Sequence, residues 1–316
     1  MRYILRADSS LTIGSGHVMR SSAIAEELIA RGEEVIFVGD SSEIPWLALR
    51  IGGLGFSQIL QNSRDLVINA KTDILILDSY TLSTGDEFIQ RDKWKRIVAI
   101  VDESTPAYEA DLIIHSSLVE DQRPKFDSKF LTGPKYIPFR KSIKKKVSPI
   151  GEGETLVILV VGGGTDIFNF VEAICTELTN FKSQFQAKIF SGNQLLSKLD
   201  PRFTNVSIGS QLDIWATKAD LVFTTASTTC LEFIAREIPV GIGCAVDNQA
   251  EYYESLTSSG VAVPIGKFKG NKWELDQSKM SGLIQSRELR ETLRQKSAGL
   301  IDLKGAERIV DEILKL

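Results

Sequence analysis

The stretch DSSLTIGSGHVMR, residues 8–20, sets two glycines and one of the chain's two histidines in a turn. It follows an apolar run and precedes a helical pattern. Glycine lets a backbone approach a ligand closely, and the first turn of a helix carries unpaired N–H donors and about half a positive charge. His17 falls in that first turn. The positive end of a helix disfavours an imidazolium, so His17 is expected as the neutral ring that can act as a general base. The plainer alternative is a histidine that caps its own helix.

Two more loops, Gly162–Thr165 and Ala226–Thr229, offer small residues at expected helix starts. Such termini bind phosphate, and they are also ordinary strand-to-helix turns. No Gly-Lys-Ser/Thr follows any of the three loops, and GSGHVM has methionine where a dinucleotide fingerprint has its third glycine. Glu232, in STTCLEFIAR, either completes a T-x-x-E capping box with Thr229 or accepts hydrogen bonds from a ribose diol. Asp8, Asp78, Asp102 and Asp166 each end an apolar strand pattern. Paired carboxylates can hold magnesium, but this spacing matches no metal loop, so a site without metal or cofactor is expected. Tyr80, in LDSYTL, either reaches a sugar or packs. The candidate catalytic residues are His17, Asp8 and Tyr80.

The elements that must position them alternate. RYILRAD leads into a helix ending at Gly32. Then follow EVIFVG, a helix in EIPWLALRIGG, DILILD, a helix near 85–95, RIVAIVD and ADLIIHS. This βαβα order implies a parallel sheet covered on both faces. RKSIKKKVSPIGEGE, with its charges, proline and glycines, reads as a linker, and its lysine run as a solvated face. The alternation restarts with TLVILVVGGGTD and a helix near 167–179, continues through AKIFSGN, VSIGS, ADLVFTTAS and IPVGIG, and closes with helices near 285–296 and 306–315. The expected fold class is α/β, with two doubly wound Rossmann-like domains, residues 1–142 and 150–316, facing a cleft. Ligands of such sheets sit at the carboxyl ends of the strands.

Composition narrows the function classes. The 316 residues suffice for two domains, and the net charge of −4 argues against nucleic-acid binding through a basic surface. The three cysteines show neither paired spacing nor clustering with histidine, so neither a disulfide framework nor a zinc site is expected. The amino-terminal apolar core is too short for a signal peptide. The longest apolar stretch, TLVILVVGG, falls far below the roughly 20 residues a membrane span needs. A cytoplasmic protein without membrane insertion, favoured as a monomer, is expected.

RADSSLTIGSGHVMR with AIAEEL resembles the amino-terminal signature of the UDP-2,4-diacetamido-2,4,6-trideoxy-beta-L-altropyranose hydrolase family of pseudaminic acid biosynthesis. The likeness continues in LILDSY, IVDE, GGGTD, TTASTTCLE and Asn248-Gln249. It is shared more loosely with spore-coat polysaccharide proteins and glycosyltransferases. The resemblance implies a glycosyltransferase-B fold. It also implies metal-independent, inverting hydrolysis of the anomeric C–O bond of a UDP-sugar, with His17 as the base that activates water. It assigns the substrate to Gly14, Gly16 and Arg20 in the first domain. In the UDP-binding second domain it assigns it to Gly163, Gly164, Asp166, Ser227, Thr228, Glu232, Asn248 and Gln249. Where family members often carry Asp-His-Tyr, this chain reads Asp78-Ser79-Tyr80. A histidine contact to the sugar is therefore missing, and the sugar's identity is open. A glycosyltransferase using a UDP-sugar donor for surface polysaccharide is the second reading. A nucleotide-sugar-binding protein without turnover is the third.

Overall fold

Runs that are apolar at consecutive positions suit strands buried on both faces. The computed structural model describes residues 1–102, 105–118, 128–145, 155–207, 209, 211–246 and 249–316. The chain divides into two compact units, Met1–Lys141 with Asp302–Leu316, and Ser142–Ile301.

In the first unit the strands are β1 (Arg2–Ala7), β2 (Glu34–Val38), β3 (Gln58–Leu60), β4 (Asp73–Asp78), β5 (Arg96–Val101), β6 (Leu112–His115) and β7 (Lys129–Thr132). They form one sheet in the order β3-β2-β1-β4-β5-β6-β7, and every pairing is parallel. Side chains alternate between its faces. Tyr3, Leu5 and Ala7 of β1 join a core with Val18, Ile24 and Leu28 of helix α1 (Gly16–Ala30). Ile4 turns to the opposite core with Leu75 and Leu77 of β4. The strand order reverses between β1 and β4, where doubly wound sheets bind ligands. Helix α2 (Pro45–Gly52) forms the β2–β3 connection and buries Leu47 and Ile51 in the core that α1 and β1 share.

The second unit repeats the plan. Its strands are β8 (Leu156–Val161), β9 (Phe185–Phe190), β10 (Phe203–Val206), β11 (Leu221–Thr225), β12 (Val240–Cys244), β13 (Ala262–Lys269) and β14 (Lys272–Leu275). They are ordered β10-β9-β8-β11-β12-β13-β14, and only the final hairpin is antiparallel. The helices are α3 (Phe170–Leu178), α4 (Gln211–Ala216), α5 (Thr228–Ala235), α6 (Ala250–Ser258), α7 (Gln277–Gln285) and α8 (Arg287–Ser297). The order reverses between β8 and β11, whose following loops are the two glycine- and threonine-rich turns.

Three sequence expectations change. The last helix, α9 (Gly305–Ile313), belongs to the first unit, not to the second domain. Its apolar stripe Ile309, Val310 and Ile313 is buried in the core that α1 and β1 form, so the chain returns to where it began. Residues 85–95 form two 3-10 turns, Glu87–Ile89 and Arg91–Lys93, in place of a helix. There the Trp94 indole takes the Phe88 carbonyl at 2.7 Å, a group a helix would need for its own ladder. The strand read in VSIGS lies earlier, at Phe203–Val206, paired to β9. Most of the expected linker, residues 146–154, lies outside the described residues.

Candidate functional site

The β1–α1 loop is shaped by one glycine. Gly14 adopts φ 84°, which favours glycine, and its N–H returns to the Ser10 carbonyl at 2.8 Å. The turn delivers Gly16 as the first residue of α1 and His17 as the second. His17 is 5% exposed, at the carboxyl end of the sheet.

Asp78, the last residue of β4, meets it there. Asp78 Oδ1 lies 2.5 Å from His17 Nδ1. Arg20, one turn further along α1, holds the same carboxylate with both arms of its fork, Nε to Oδ2 and Nη2 to Oδ1, each at 2.7 Å. Arg20 also reaches Asp102, which follows β5, at 3.2 and 3.3 Å. Tyr80 donates its hydroxyl to Asp102 Oδ2 at 2.5 Å, and its ring stands edge-on to His17 with centroids 4.1 Å apart.

The charges follow from these contacts. Burial alone pushes the Asp78 carboxyl up, and the Arg20 and His17 groups beside it more than offset that, so it sits below the ordinary carboxylate range. Burial also raises Asp102, and Arg20, Tyr80 and Thr105 together bring it below the usual value. Burial, with Asp102 nearby, holds Tyr80 as a neutral phenol well above the usual tyrosine range. An ionised Asp78 only accepts, so His17 Nδ1 carries the hydrogen and, in the neutral ring, Nε2 holds the lone pair. The arrangement is a carboxylate–imidazole dyad that presents one basic nitrogen, the orientation seen in catalytic triads.

Asp8 does not join this dyad. It pairs with Arg6 and accepts from Ser79 and Thr81, the latter at 2.9 Å, and so ties the β1 and β4 ends together. The structure thus unites His17, Tyr80 and Arg20 around Asp78 and Asp102, and turns Arg20 toward internal carboxylates. In the sequence Asp78 stood as one strand-end aspartate among four and as part of the LILDSY likeness, with no sign that it partners His17. The strand order, which sets β4 beside β1, is the signal that singles it out.

In the second unit, Gly163 follows β8 with φ 87°, and Gly164 continues the turn. A side chain on Gly163 would point at Thr225 Oγ1 (3.6 Å) and Ser227 Oγ (3.9 Å), so the two strand-end loops converge on one small space. Asp166 occupies the start of α3, accepting from the amides of Phe170 (2.8 Å) and Val171 (3.1 Å). Burial nevertheless pushes its carboxyl up to about 6. Helix α5 is different. Ser227 is its N-cap and makes no capping bond, and Thr228 opens the helix. Among the described residues, its first-turn amides meet no side-chain cap. Because the N-cap is Ser227, Thr229 and Glu232 form no capping box, and Glu232 stands half-buried one turn into α5. Gln249 precedes α6, and its Oε1 accepts from the Ala245 amide at 2.9 Å. Asn248 lies outside the described residues.

Among the described residues no group of three or more His, Cys, Asp or Glu is placed to hold a metal ion. None of their helices is long and apolar enough to cross a membrane.

No family model matches the chain. It is 26% identical over 282 residues to an uncharacterized protein of Methanocaldococcus jannaschii, covering 80% of this chain and 58% of that protein, so it spans little more than half of that relative's length. Over 191 residues it is 25% identical to the UDP-2,4-diacetamido-2,4,6-trideoxy-beta-L-altropyranose hydrolase of Campylobacter jejuni, covering 58% of this chain and 67% of that enzyme. Among solved structures it is similar to MurG of Acinetobacter baumannii, with TM-score 0.63, 13% identity and coverage of 100% of this chain and 99% of that one. It is also similar to the glycosyltransferase of kitacinnamycin, with TM-score 0.68, 14% identity and coverage of 99% and 98%. These likenesses show the fold, two Rossmann-like domains of glycosyltransferase-B type.

Proposed function

We propose that the chain is a nucleotide-sugar enzyme that transfers a glycosyl group from a nucleoside diphosphate sugar, with UDP as the expected nucleotide, to an acceptor hydroxyl. The single observation that carries this reading is the 2.5 Å contact between Asp78 and His17, which leaves Nε2 as the base. His17 Nε2 takes the proton of the attacking oxygen, the new bond forms at the anomeric carbon, and the diphosphate leaves with the electrons of the broken C–O bond. Direct displacement by one nucleophile inverts the anomeric centre. Asp78 stays ionised and stabilises the imidazolium that forms. The uncapped start of α5, with the Thr225 and Ser227 hydroxyls and the Gly163 backbone beside it, suits the leaving diphosphate.

The second reading keeps the same base and puts water in place of the acceptor. The similarity to the Campylobacter jejuni hydrolase favours it. It stands second because that likeness covers 58% of the chain, whereas the fold likeness to glycosyltransferases covers nearly all of it. The distinguishing experiment measures UDP release from a panel of UDP-sugars in ¹⁸O-water, with and without candidate acceptors. Release that depends on an acceptor supports transfer. Acceptor-independent release with label in the free sugar supports hydrolysis. Label in the UDP means P–O cleavage and defeats both.

A further inference from the structure

We propose that Trp273 is a positioning residue that clamps the loop 162–169 in the shape in which it meets a donor diphosphate. The functional half of this inference rests on the nucleotide reading above. The loop carries three left-handed residues, Gly163, Asp166 (φ 48°) and Asn169 (φ 52°). Two of them are not glycine, and such a backbone persists only where its surroundings hold it. Asp166 supplies an internal restraint by capping α3.

Trp273 supplies the external one. It lies on β14, 105 residues away in sequence, and its Nε1–H donates to the Phe168 carbonyl at 2.8 Å. Its ring packs edge-on to Phe170 at 4.9 Å and to Phe268 at 5.6 Å, and Phe268 in turn meets Phe168 at 5.0 Å. Room for the indole comes from Gly243 on β12. A Cβ there would stand 2.7 Å from the Phe170 ring and 2.8 Å from the indole. The same Gly243 accepts the Ala226 amide at 2.8 Å, at the entrance to α5. One glycine therefore seats the clamp and anchors the second phosphate-facing loop.

Two variants separate the parts of the clamp. Trp273→Phe keeps a ring and removes the N–H, and Gly243→Ala keeps the N–H and displaces the ring. Hydrogen exchange of residues 162–171 without nucleotide reads the clamp, and calorimetric UDP titration reads its use. Both variants are expected to speed exchange there. Trp273→Phe is expected to weaken UDP binding by about 5- to 10-fold, the effect of one lost neutral hydrogen bond, and Gly243→Ala to weaken it in the same direction by displacing the ring. Exchange over β8 and β1 is expected to stay unchanged. Unchanged exchange of residues 162–171 in Trp273→Phe overturns the proposal, and so does faster exchange spread evenly over the second unit. Faster local exchange with unchanged UDP affinity overturns the functional half. A wild-type protein that binds no UDP defeats the nucleotide reading instead, and the nucleotide-free exchange still decides the clamp.

Discussion

Asp78 Oδ1 stands 2.5 Å from His17 Nδ1, and that contact fixes which imidazole nitrogen can take a proton. Neither residue achieves this alone. The β1–α1 turn brings the ring, β4 brings the carboxylate, and Arg20 keeps the carboxylate ionised although it is fully buried.

Asp78→Asn therefore tests the orientation separately from the base. An asparagine amide donates to Nδ1, which moves the ring hydrogen to Nε2 and removes the lone pair from the working nitrogen. Turnover is expected to fall by about 10²- to 10⁴-fold, with UDP affinity unchanged, because the loops proposed for the nucleotide belong to the other unit. Steady-state rates and UDP titration on the same preparation check both halves.

Asp166 sets a pH dependence in the second unit. Its folded value, about 6, lies above the ordinary aspartate value of 3.8. The native state therefore binds more protons than the unfolded one between those values, and stability falls as pH rises from about 4 to about 6. Below that window the contribution is fully present, and above it the loss is complete. Asp166→Asn is expected to flatten this fall, read from urea unfolding of the second unit at pH 4.5 and pH 7. An equal slope in both proteins contradicts the assignment.

Helix α9 is expected to stabilise the first unit alone. Ile313 is fully buried in that unit's core, so Ile313→Ala is expected to cost about 2–5 kcal/mol. Hydrogen exchange locates the loss: faster exchange in β1 and β4, unchanged exchange in β8 and β11.

Much of the fold was legible in the sequence, for identifiable reasons. The ILIL of DILILD and the LVILVV that follows Thr155 are apolar at consecutive positions because their strands are covered on both faces, and such runs announce central parallel strands. His17 was legible because GSGH sits at a strand-to-helix junction. Its partner was not, since Asp78 lies 61 residues away and reaches His17 only through the adjacency of β1 and β4. The amphipathic stripe of α9 shows which face is buried, but no local pattern says against which domain. Glu232 and Thr229 match a capping box in spacing, yet Ser227 starts the helix two residues earlier and leaves that pattern unused.

The most direct measurement compares wild type with His17→Ala in UDP release from UDP-2,4-diacetamido-2,4,6-trideoxy-altrose and the other UDP-sugars, with and without candidate acceptors, with UDP affinity measured in parallel. The expected result is turnover reduced by at least about 10²-fold with UDP affinity unchanged. Turnover within a few-fold of wild type would contradict the role of His17, and with it the chemistry assigned to the dyad.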